Sequence, residues 1–350
     1  MRYPMTDDKQ EMVQPLLHVS VGPHLRQSES VPSLMISVLV ALIPALAASI
    51  FLFGIGALGL IVSCTAAAVG TEAVICFAFR KRQTVGDFSA VVTGALLACT
   101  MPPQCPLWAG ALGGIFAIAV VKMPFGGLGH SIVNPALAAR AFLLISYPTA
   151  MASFCAPMHG SLSGLSKGLD GITSATPLTY FKSAMASGNF NALDLQDSLS
   201  NLFWGNAGGS LGATSAAALC LGASFLFYKG IIRFRISFSF IGSLFLLFWL
   251  FNKTGGFFTT EALIVPSYQV LSGGVLLAAF FMATDPVTSP VTQFGMIIFG
   301  IGCGTLTFCL RSFGGYAEGV GFAVLLMNLA VPVIDKFSRP RRFGEANKRE

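Results

Sequence analysis

Long apolar runs constrain the fold of this chain more than any other feature. A helix needs about 20 predominantly apolar residues to cross the hydrocarbon core of a bilayer, and ten runs of the 350-residue sequence approach that length. They lie at roughly 34–54, 57–79, 88–101, 105–121, 133–150, 209–228, 236–252, 267–283, 292–310 and 318–334. Only 10% of the residues are charged, whereas soluble domains average about 25%. The sequence therefore predicts an all-α polytopic membrane protein in a lipid bilayer.

The distribution of positive charge predicts how the spans are oriented. The chain has 21 Lys and Arg against 15 Asp and Glu, which gives a net charge of +6. With ten spans and a cytoplasmic N terminus, 16 of the 21 basic residues fall in cytoplasmic segments, Lys122 among them, and four fall outside, Arg311 among them. Cytoplasmic loops of membrane proteins are enriched in Lys and Arg. We therefore expect both termini in the cytoplasm, and no nucleic-acid partner.

Two segments of the first half of the chain recur in the second half. Thr93–Ala98 resembles Ser272–Ala278, and Lys122–Gly127 resembles Arg311–Gly315. Gly-rich apolar segments can also resemble one another by composition alone. A true duplication would put five spans in each half, and an odd number of spans gives the halves opposite orientations. The repeat therefore predicts two five-helix inverted repeats, a plan that many transporters share.

Pro-containing breaks near the centre of each half fit this plan, because interrupted helices at matching positions mark functional centres in such folds. We expect these breaks at Met101–Pro103 and at Asp285–Pro286. The predicted organisation is a cytoplasmic tail over 1–33, a first repeat over 34–150, an extracytoplasmic loop over 151–206, a second repeat over 207–335 and a basic cytoplasmic tail over 336–350.

The extracytoplasmic loop contains a Gly- and Ser-rich segment, Asp170–Leu178. A Gly- and Ser-rich turn that leads into a proline, here Pro177, is typical of a plain connection between helices. Its small residues would also let another macromolecule approach the backbone closely, so the segment could be modified as well as bent.

This segment resembles the acceptor motif of flavin transferases, which attach FMN through its phosphate to a threonine hydroxyl outside the cytoplasm. Asp170, Thr173, Ser174, Ala175 and Thr176 match that motif position by position. The resemblance implies a covalent, phosphoester-linked FMN on Thr176, and a flavin transferase as a partner.

The rest of the chain resembles the NqrB/RnfD family of ion-translocating oxidoreductase subunits, from about His18 to Asp335. The segments that carry the resemblance are Val21–Ser28, Phe125–Gly129, Asn134–Ala136, Arg140–Phe142, Leu271–Pro290, Glu318–Gly319, Met327–Asn328 and Pro332–Asp335. The short N-terminal tail is typical of the RnfD branch of the family.

Membership of that branch implies a membrane flavoprotein subunit of an Rnf-type complex in the bacterial cytoplasmic (inner) membrane. Such a translocase couples electron transfer between ferredoxin and NAD to Na⁺ or H⁺ translocation. The resemblance also implies a second flavinylated subunit, and a non-covalent riboflavin nearer the cytoplasmic face of this chain. The sequence has no dinucleotide-binding fingerprint and no cysteine cluster, so we assign nicotinamide and iron–sulfur chemistry to partner subunits.

Three positions depart from the family pattern. Ala213 stands where a carboxylate is common, Met123 stands where NqrB has Glu, and Ala139 replaces Gly before Arg140. An acid-based role at positions 213 and 123 therefore does not transfer to this chain.

Ionisable groups at membrane depth are costly and for that reason indicate function. The candidates for an ion path are Glu72, Asp285, Glu318 and Asp335. Helix capping is the alternative for Asp285 and Glu318, and an ion pair with Lys336 is the alternative for Asp335.

Glu72 and Arg140 lie several residues inside apolar runs. They either pair with each other, or Arg140 holds a flavin phosphate or another polar group.

A second class of function fits the repeat and the broken helices equally well. A channel or transporter for a small solute, with inverted repeats and no redox cofactor, would need nothing more. The segment around Thr176 discriminates between the two classes, because a solute channel has no use for a flavin acceptor threonine.

Overall fold

The computed structural model describes residues 30–80, 83–157, 175–187, 192–251, 260–316 and 318–338. All regular secondary structure in these ranges is helical. The α-helices are α1 (Val31–Phe53), α2 (Ile55–Ala78), α3 (Ser89–Thr100), α4 (Leu107–Phe116), α5 (Pro135–Ser146), α6 (Pro148–Met151), α7 (Pro177–Ser187), α8 (Ala192–Trp204), α9 (Ala216–Tyr228), α10 (Phe234–Leu250), α11 (Thr260–Leu271), α12 (Val275–Leu277), α13 (Gln293–Phe313) and α14 (Val320–Phe337). Segments of π-helix extend α4 over Ala117–Lys122 and α12 over Ala278–Met282.

Four of the described helices, α1, α2, α13 and α14, are long and apolar enough to cross a membrane, with 18 to 24 residues each. A fifth crossing is available to the bent pair Ala262–Leu271 and Val275–Met282. Shorter apolar helices cover the other predicted runs: α3, α4 with its π-helical extension, α5, α9 and α10. The all-helical polytopic class is confirmed, while the count of ten spans, the inverted repeat and the domain limits stay predictions.

The break expected at Met101–Pro103 is confirmed. Helix α3 has only 12 residues, which span about 18 Å at a rise of about 1.5 Å per residue, against ~30 Å of hydrocarbon. The chain becomes extended at Met101, and the Met101 carbonyl accepts a hydrogen bond of 3.0 Å from the backbone N–H of Leu211. Broken backbone at membrane depth requires such protein partners.

The second half contains a break that hydropathy does not reveal. The run predicted as one span over 267–283 is bent by 63° at Ser272–Gly274, between α11 and α12. Gly273 has φ +68°, a conformation that favours glycine. The span predicted over 267–283 is therefore broken, because the chain bends at Gly273 and α12 starts in a new direction. The helix does end at Met282, before the expected break at Asp285–Pro286.

Close helix contacts in this bundle depend on glycine. A Cβ atom on Gly222 of α9 would lie 2.0 Å from the carbonyl oxygen of Ala41 on α1, and a Cβ on Gly94 of α3 would lie 2.6 Å from Thr65 Cα on α2. Small residues let helices in membranes approach backbone to backbone. These glycines therefore set the spacing of α1 to α9 and of α2 to α3.

The loop over 151–206 is more structured than its composition suggests, since it contains α7 and α8. Leu202 of α8 packs with Val265 and Tyr268 of α11 in a separate buried cluster. Part of the predicted connecting loop is thus docked on the helical body.

A buried ion pair joins α2 to the π-helical end of α4. Glu72 and Lys122 are 1% and 2% exposed, and Lys122 Nζ lies 3.0 and 2.9 Å from the two carboxylate oxygens of Glu72. Lys122 Nζ also donates to Ser89 Oγ at 2.7 Å, and Thr84 donates to Glu72 at 2.5 Å. The interpretation of Lys122 as a loop charge is therefore wrong: its ammonium is enclosed by three helical segments.

Replacing Gly222 with Ala should destabilise the protein, because the added methyl group must push α9 away from the backbone of α1. Overpacking of this kind costs about 1–3 kcal/mol. Thermal unfolding in detergent, followed with a thiol-reactive dye that reports exposure of the buried cysteines, measures the loss. The matched control is Gly70→Ala in α2, where a Cβ atom meets nothing within 4 Å. Equal melting temperatures for the two variants would contradict this role of Gly222.

The variant Glu72→Gln should be strongly destabilised, because the buried Lys122 ammonium loses its counter-ion. Removing one partner of a buried pair costs about 3–5 kcal/mol, whereas replacing both is far milder. The double variant Glu72→Gln with Lys122→Met should therefore melt at a higher temperature than Glu72→Gln alone. If the double variant loses as much stability as Glu72→Gln and Lys122→Met lose together, the pair is not coupled.

Candidate functional site

Thr176 begins helix α7. Its carbonyl accepts a hydrogen bond of 2.9 Å from the N–H of Tyr180, and its Oγ1 accepts one of 3.3 Å from the N–H of Thr179. Thr176 is thus the N-cap residue of α7, and its hydroxyl lies at the positive end of the helix dipole. Helix N-termini bind phosphate for this reason, so a phosphate ester on Oγ1 is well placed.

The other matched residues of the motif are only partly described. Ala175 is exposed just before the helix, while Asp170, Thr173 and Ser174 lie outside the described residues. Their role stays a prediction from the resemblance.

Helix α7 is anchored to the membrane body next to Thr176. The buried Tyr268 of α11 donates its hydroxyl to the Pro177 carbonyl at 2.8 Å, and its ring lies 5.8 Å from the Phe181 ring. The buried Leu178 and a hydrogen bond from Lys182 to the Gly314 carbonyl complete the anchor. Sequence reasoning missed Tyr268, because a tyrosine within an apolar run indicates only core packing.

A small cavity lies beside Thr176. Its walls come from three regions of the sequence and consist of Thr176, Pro177, Leu178, Leu202, Ala207, Gly208, Gly209, Ser210, Ala213, Thr214, Gly273 and Glu318. We call it the Thr176 pocket.

Two small residues, Ser210 and Ala213, determine the polarity of part of the Thr176 pocket wall. Ser210 is 1% exposed, and its hydroxyl has no hydrogen-bond partner among the described residues; a buried polar group in that state indicates a missing partner. Ala213 lines the same pocket, so the carboxylate common at this position in the family would project into it. Here that wall is apolar.

Glu318 lies at the edge of the pocket and pairs with Arg140. The pair connects α5 of the first half with the start of α14 in the second half. The prediction that Arg140 and Glu72 pair with each other is wrong, because Glu72 is bound to Lys122 and Arg140 to Glu318.

Arg311 is buried directly behind Gly273. It is 6% exposed, and its guanidinium donates to the side-chain oxygen of Gln269 at 2.8 Å and to the Ser272 carbonyl at 3.1 Å. These acceptors belong to the end of α11, where a helix dipole favours a cation. The interpretation of Arg311 as an external loop charge is therefore wrong, because the bend at Ser272–Gly274 exposes carbonyls that the side chain folds inward to meet.

A larger cleft lies elsewhere in the bundle and is open to the surface. Apolar side chains of α1, α3, α9 and the π-helix after α12 form most of its wall. Its polar lining residues are Ser89, Thr93, Lys122, Ser131, Asn134, Thr284 and Asp285. A mostly apolar cleft with a few converging polar groups is the usual form of a cofactor site. We call it the Asn134 cleft.

Asn134 shapes this cleft by capping α5. Its Oδ1 accepts hydrogen bonds from the N–H groups of Ala136 at 3.0 Å and Leu137 at 3.4 Å, and Pro135 occupies the first helical turn, as is common. Its Nδ2 donates to the Met282 carbonyl at 3.4 Å. One amide thus connects the two halves of the chain at the cleft.

Asp285 lies on the wall of the Asn134 cleft and caps its own turn. Its carboxylate accepts hydrogen bonds from the Val287 N–H at 3.4 Å and from the Thr288 hydroxyl at 3.2 Å. Burial raises the pKa of the Asp285 carboxyl above its ordinary value, and those hydrogen bonds oppose the shift. Capping was the alternative interpretation of Asp285, and these two hydrogen bonds are of the capping kind.

The four acids predicted for an ion path do not meet at one place. Glu72 reaches the Asn134 cleft through Lys122, and Asp285 lines the cleft itself. Glu318 lies at the Thr176 pocket. Asp335 accepts a hydrogen bond of 3.3 Å from the Val291 N–H and forms no ion pair with Lys336 in the described part of the chain.

A family model matches nearly the whole chain, including the motifs that indicated a family. Residues 18–344 match the model of the NQR2, RnfD, RnfE family, which is close to the extent that the motifs indicated.

Curated relatives cover almost the full length of the chain. The D subunit of the Na⁺-translocating ferredoxin:NAD⁺ oxidoreductase complex of Acetobacterium woodii is 43% identical over 94% of this chain and 95% of its own length. The D subunit of the proton-translocating ferredoxin:NAD⁺ oxidoreductase complex of Clostridium ljungdahlii is 42% identical over 93% and 96%. The D subunit of the ion-translocating oxidoreductase complex of Escherichia coli is 35% identical over 94% and 99%. The chain therefore belongs to the NQR2, RnfD, RnfE family.

Proposed function

We propose that this chain is the membrane flavoprotein subunit of an Rnf-type complex that couples electron transfer between ferredoxin and NAD to ion translocation. Three relatives that are D subunits of ion-translocating oxidoreductase complexes match at least 93% of the chain, which supports a role as one oxidoreductase and translocase subunit among several. The partners are the other subunits, including iron–sulfur subunits and a second flavinylated subunit, in a bacterial inner membrane. The redox function is favoured over a solute channel by family membership and by the Thr176 pocket.

The site supports covalent FMN on Thr176, and one observation carries this proposal. The Thr176 hydroxyl lies at the N-terminus of a helix and on the wall of a pocket that also contains the unpartnered, buried Ser210 hydroxyl. Bound FMN supplies the electron-transfer chemistry. The N-terminus of α7 would hold the phosphodiester, next to the small residues Gly273 and Ala213 of the pocket wall. A flavin transferase makes the attachment outside the cytoplasm.

The Asn134 cleft is the proposed site of the non-covalent riboflavin. The cleft is mostly apolar with a few converging polar groups. Lys122 and Asn134 supply hydrogen-bond donors, and Asn134 and Asp285 supply acceptors. In the predicted topology these residues lie at the cytoplasmic ends of their spans. The two clefts would thus place one flavin near each face of the membrane.

Ion coupling is proposed to involve the acids at the Asn134 cleft. Asp285 has no cationic partner among the described residues, whereas Glu72 and Glu318 are each paired, so Asp285 is the acid best placed to exchange a cation or a proton. Relatives of nearly equal identity carry names with different ions, Na⁺ at 43% and protons at 42%. Overall similarity therefore does not select the ion.

Replacing Thr176 with Ala should abolish covalent flavin. The protein is made with its flavin transferase, separated by denaturing electrophoresis and viewed under ultraviolet light, where an attached flavin fluoresces. The matched control is Thr179→Ala, because Thr179 Oγ1 lies 3.1 Å from Thr176 Oγ1 in the same exposed turn. We expect a dark band for Thr176→Ala and a bright band for Thr179→Ala, both inserted in the membrane. A bright Thr176→Ala band would move the attachment to another residue.

Filling the Asn134 cleft should displace riboflavin without affecting the covalent flavin. Val287 lines the cleft, so Val287→Trp should lower the amount of riboflavin released when the purified chain is denatured, measured by chromatography. Val291→Trp is the control, since Val291 is on the same loop but 73% exposed. Unchanged riboflavin content in Val287→Trp would place that flavin elsewhere.

A further inference from the structure

Arg311 is a buried cation that forms no salt bridge among the described residues. Lys122, its counterpart in the predicted duplication, is also buried, but both carboxylate oxygens of Glu72 lie within 3.0 Å of its ammonium. The hydrogen bonds found for Arg311 go to uncharged oxygens of Gln269 and Ser272. Among the described residues it forms no ion pair, and its Nε has no acceptor. A buried charge in this state is costly, because burial removes its hydration and no ion pair replaces it.

The charge of Arg311 is directed at the Thr176 pocket. A Cβ atom on Gly273, a residue of the pocket wall, would lie 3.2 Å from Arg311 Nη2 and 3.1 Å from Glu318 Oε1. The Arg311 guanidinium therefore lies next to Gly273, Leu178 and Glu318, which line the cavity. A side chain at position 273 would screen the charge, and its Cβ would also collide with Leu178 at 2.7 Å.

The charges of the described residues around the pocket do not cancel. Glu318 is already paired with Arg140, so among these residues two guanidinium groups share one carboxylate and leave one net positive charge beside the cavity. Ala213, which also lines the pocket, adds no second carboxylate. Charges in a site sheltered from water act far more strongly than in water. The pocket therefore favours a ligand that becomes more negative.

We propose that Arg311 is an electrostatic residue that raises the reduction potential of the flavin in the Thr176 pocket. This rests on the proposed covalent FMN at Thr176. Reduction of a flavin by two electrons with uptake of one proton adds one negative charge to its ring system. The electrons come from the neighbouring electron carrier of the complex, or from dithionite in a titration. A fixed positive charge behind Gly273 stabilises that added charge, and Glu318 limits the effect.

The experiment is a redox titration of the full chain, made with its flavin transferase and purified in detergent, with flavin absorbance as the readout. Arg311→Gln should lower the midpoint potential of the covalent flavin, because the positive charge is lost. Glu318→Gln should raise it, because an opposing negative charge is lost. Arg311→Lys keeps the charge and should stay closer to the wild-type potential than Arg311→Gln.

Arg233→Gln is the control, because Arg233 also donates to a backbone carbonyl, that of Val291 at 3.2 Å, but is exposed at the start of α10 and does not line the Thr176 pocket. Its covalent flavin should keep the wild-type potential. A merely structural role for Arg311 would not move the potential in opposite directions in Arg311→Gln and Glu318→Gln. Shifts of the same sign, or no shift in any variant, would overturn the proposal.

Two outcomes separate this proposal from the one on which it rests. Each preparation is first checked for a fluorescent band after denaturing electrophoresis. A dark wild-type band removes the covalent flavin and with it both proposals. Bright bands with unchanged potentials leave the attachment intact and reject the role of Arg311 alone. If Arg311→Gln fails to fold, two variants still test the proposal. Glu318→Gln should raise the midpoint potential, and Arg311→Lys should keep it near the wild-type value.

Discussion

The structure depends on one constraint: backbone exposed by a broken helix must find protein partners, because the hydrocarbon of a membrane offers none. The break at Met101 is satisfied by the Leu211 N–H. The bend at Ser272–Gly274 leaves carbonyls at the end of α11, and Arg311 meets them. Each break thus draws a distant segment to the centre of the bundle. The Thr176 pocket lies beside these segments, since Ser210, Ala213 and Gly273 line it.

Buried charge is the second consequence of the fold. Lys122 and Arg311 are both enclosed, yet Glu72 neutralises the first while no carboxylate pairs with the second among the described residues. The difference suits two kinds of site. A neutral pair beside the Asn134 cleft fixes the positions of α2 and α4, whereas the proposed role of Arg311 is to raise the reduction potential of a flavin in the Thr176 pocket.

The sequence was sufficient for the helical class, for the break at Met101 and for the position of Thr176 in a polar segment, because hydropathy and proline act locally. It failed where long-range contacts decide. Lys122 and Arg311 look like loop charges in the sequence, since their burial depends on Glu72 and on the carbonyls of α11, 42 or more residues away in the chain. The sequence also did not predict helix α7, because the docking of this helix depends on Tyr268, 91 residues beyond Pro177.

The central claim is that an FMN is joined through its phosphate to Thr176. Mass spectrometry of the native complex tests it most directly, because trypsin releases Gly168–Lys182, a peptide with three threonines. We expect this peptide to be heavier by one FMN less one water, with fragmentation placing the added mass on Thr176. An unmodified peptide, or the added mass on Thr173 or Thr179, would contradict the claim.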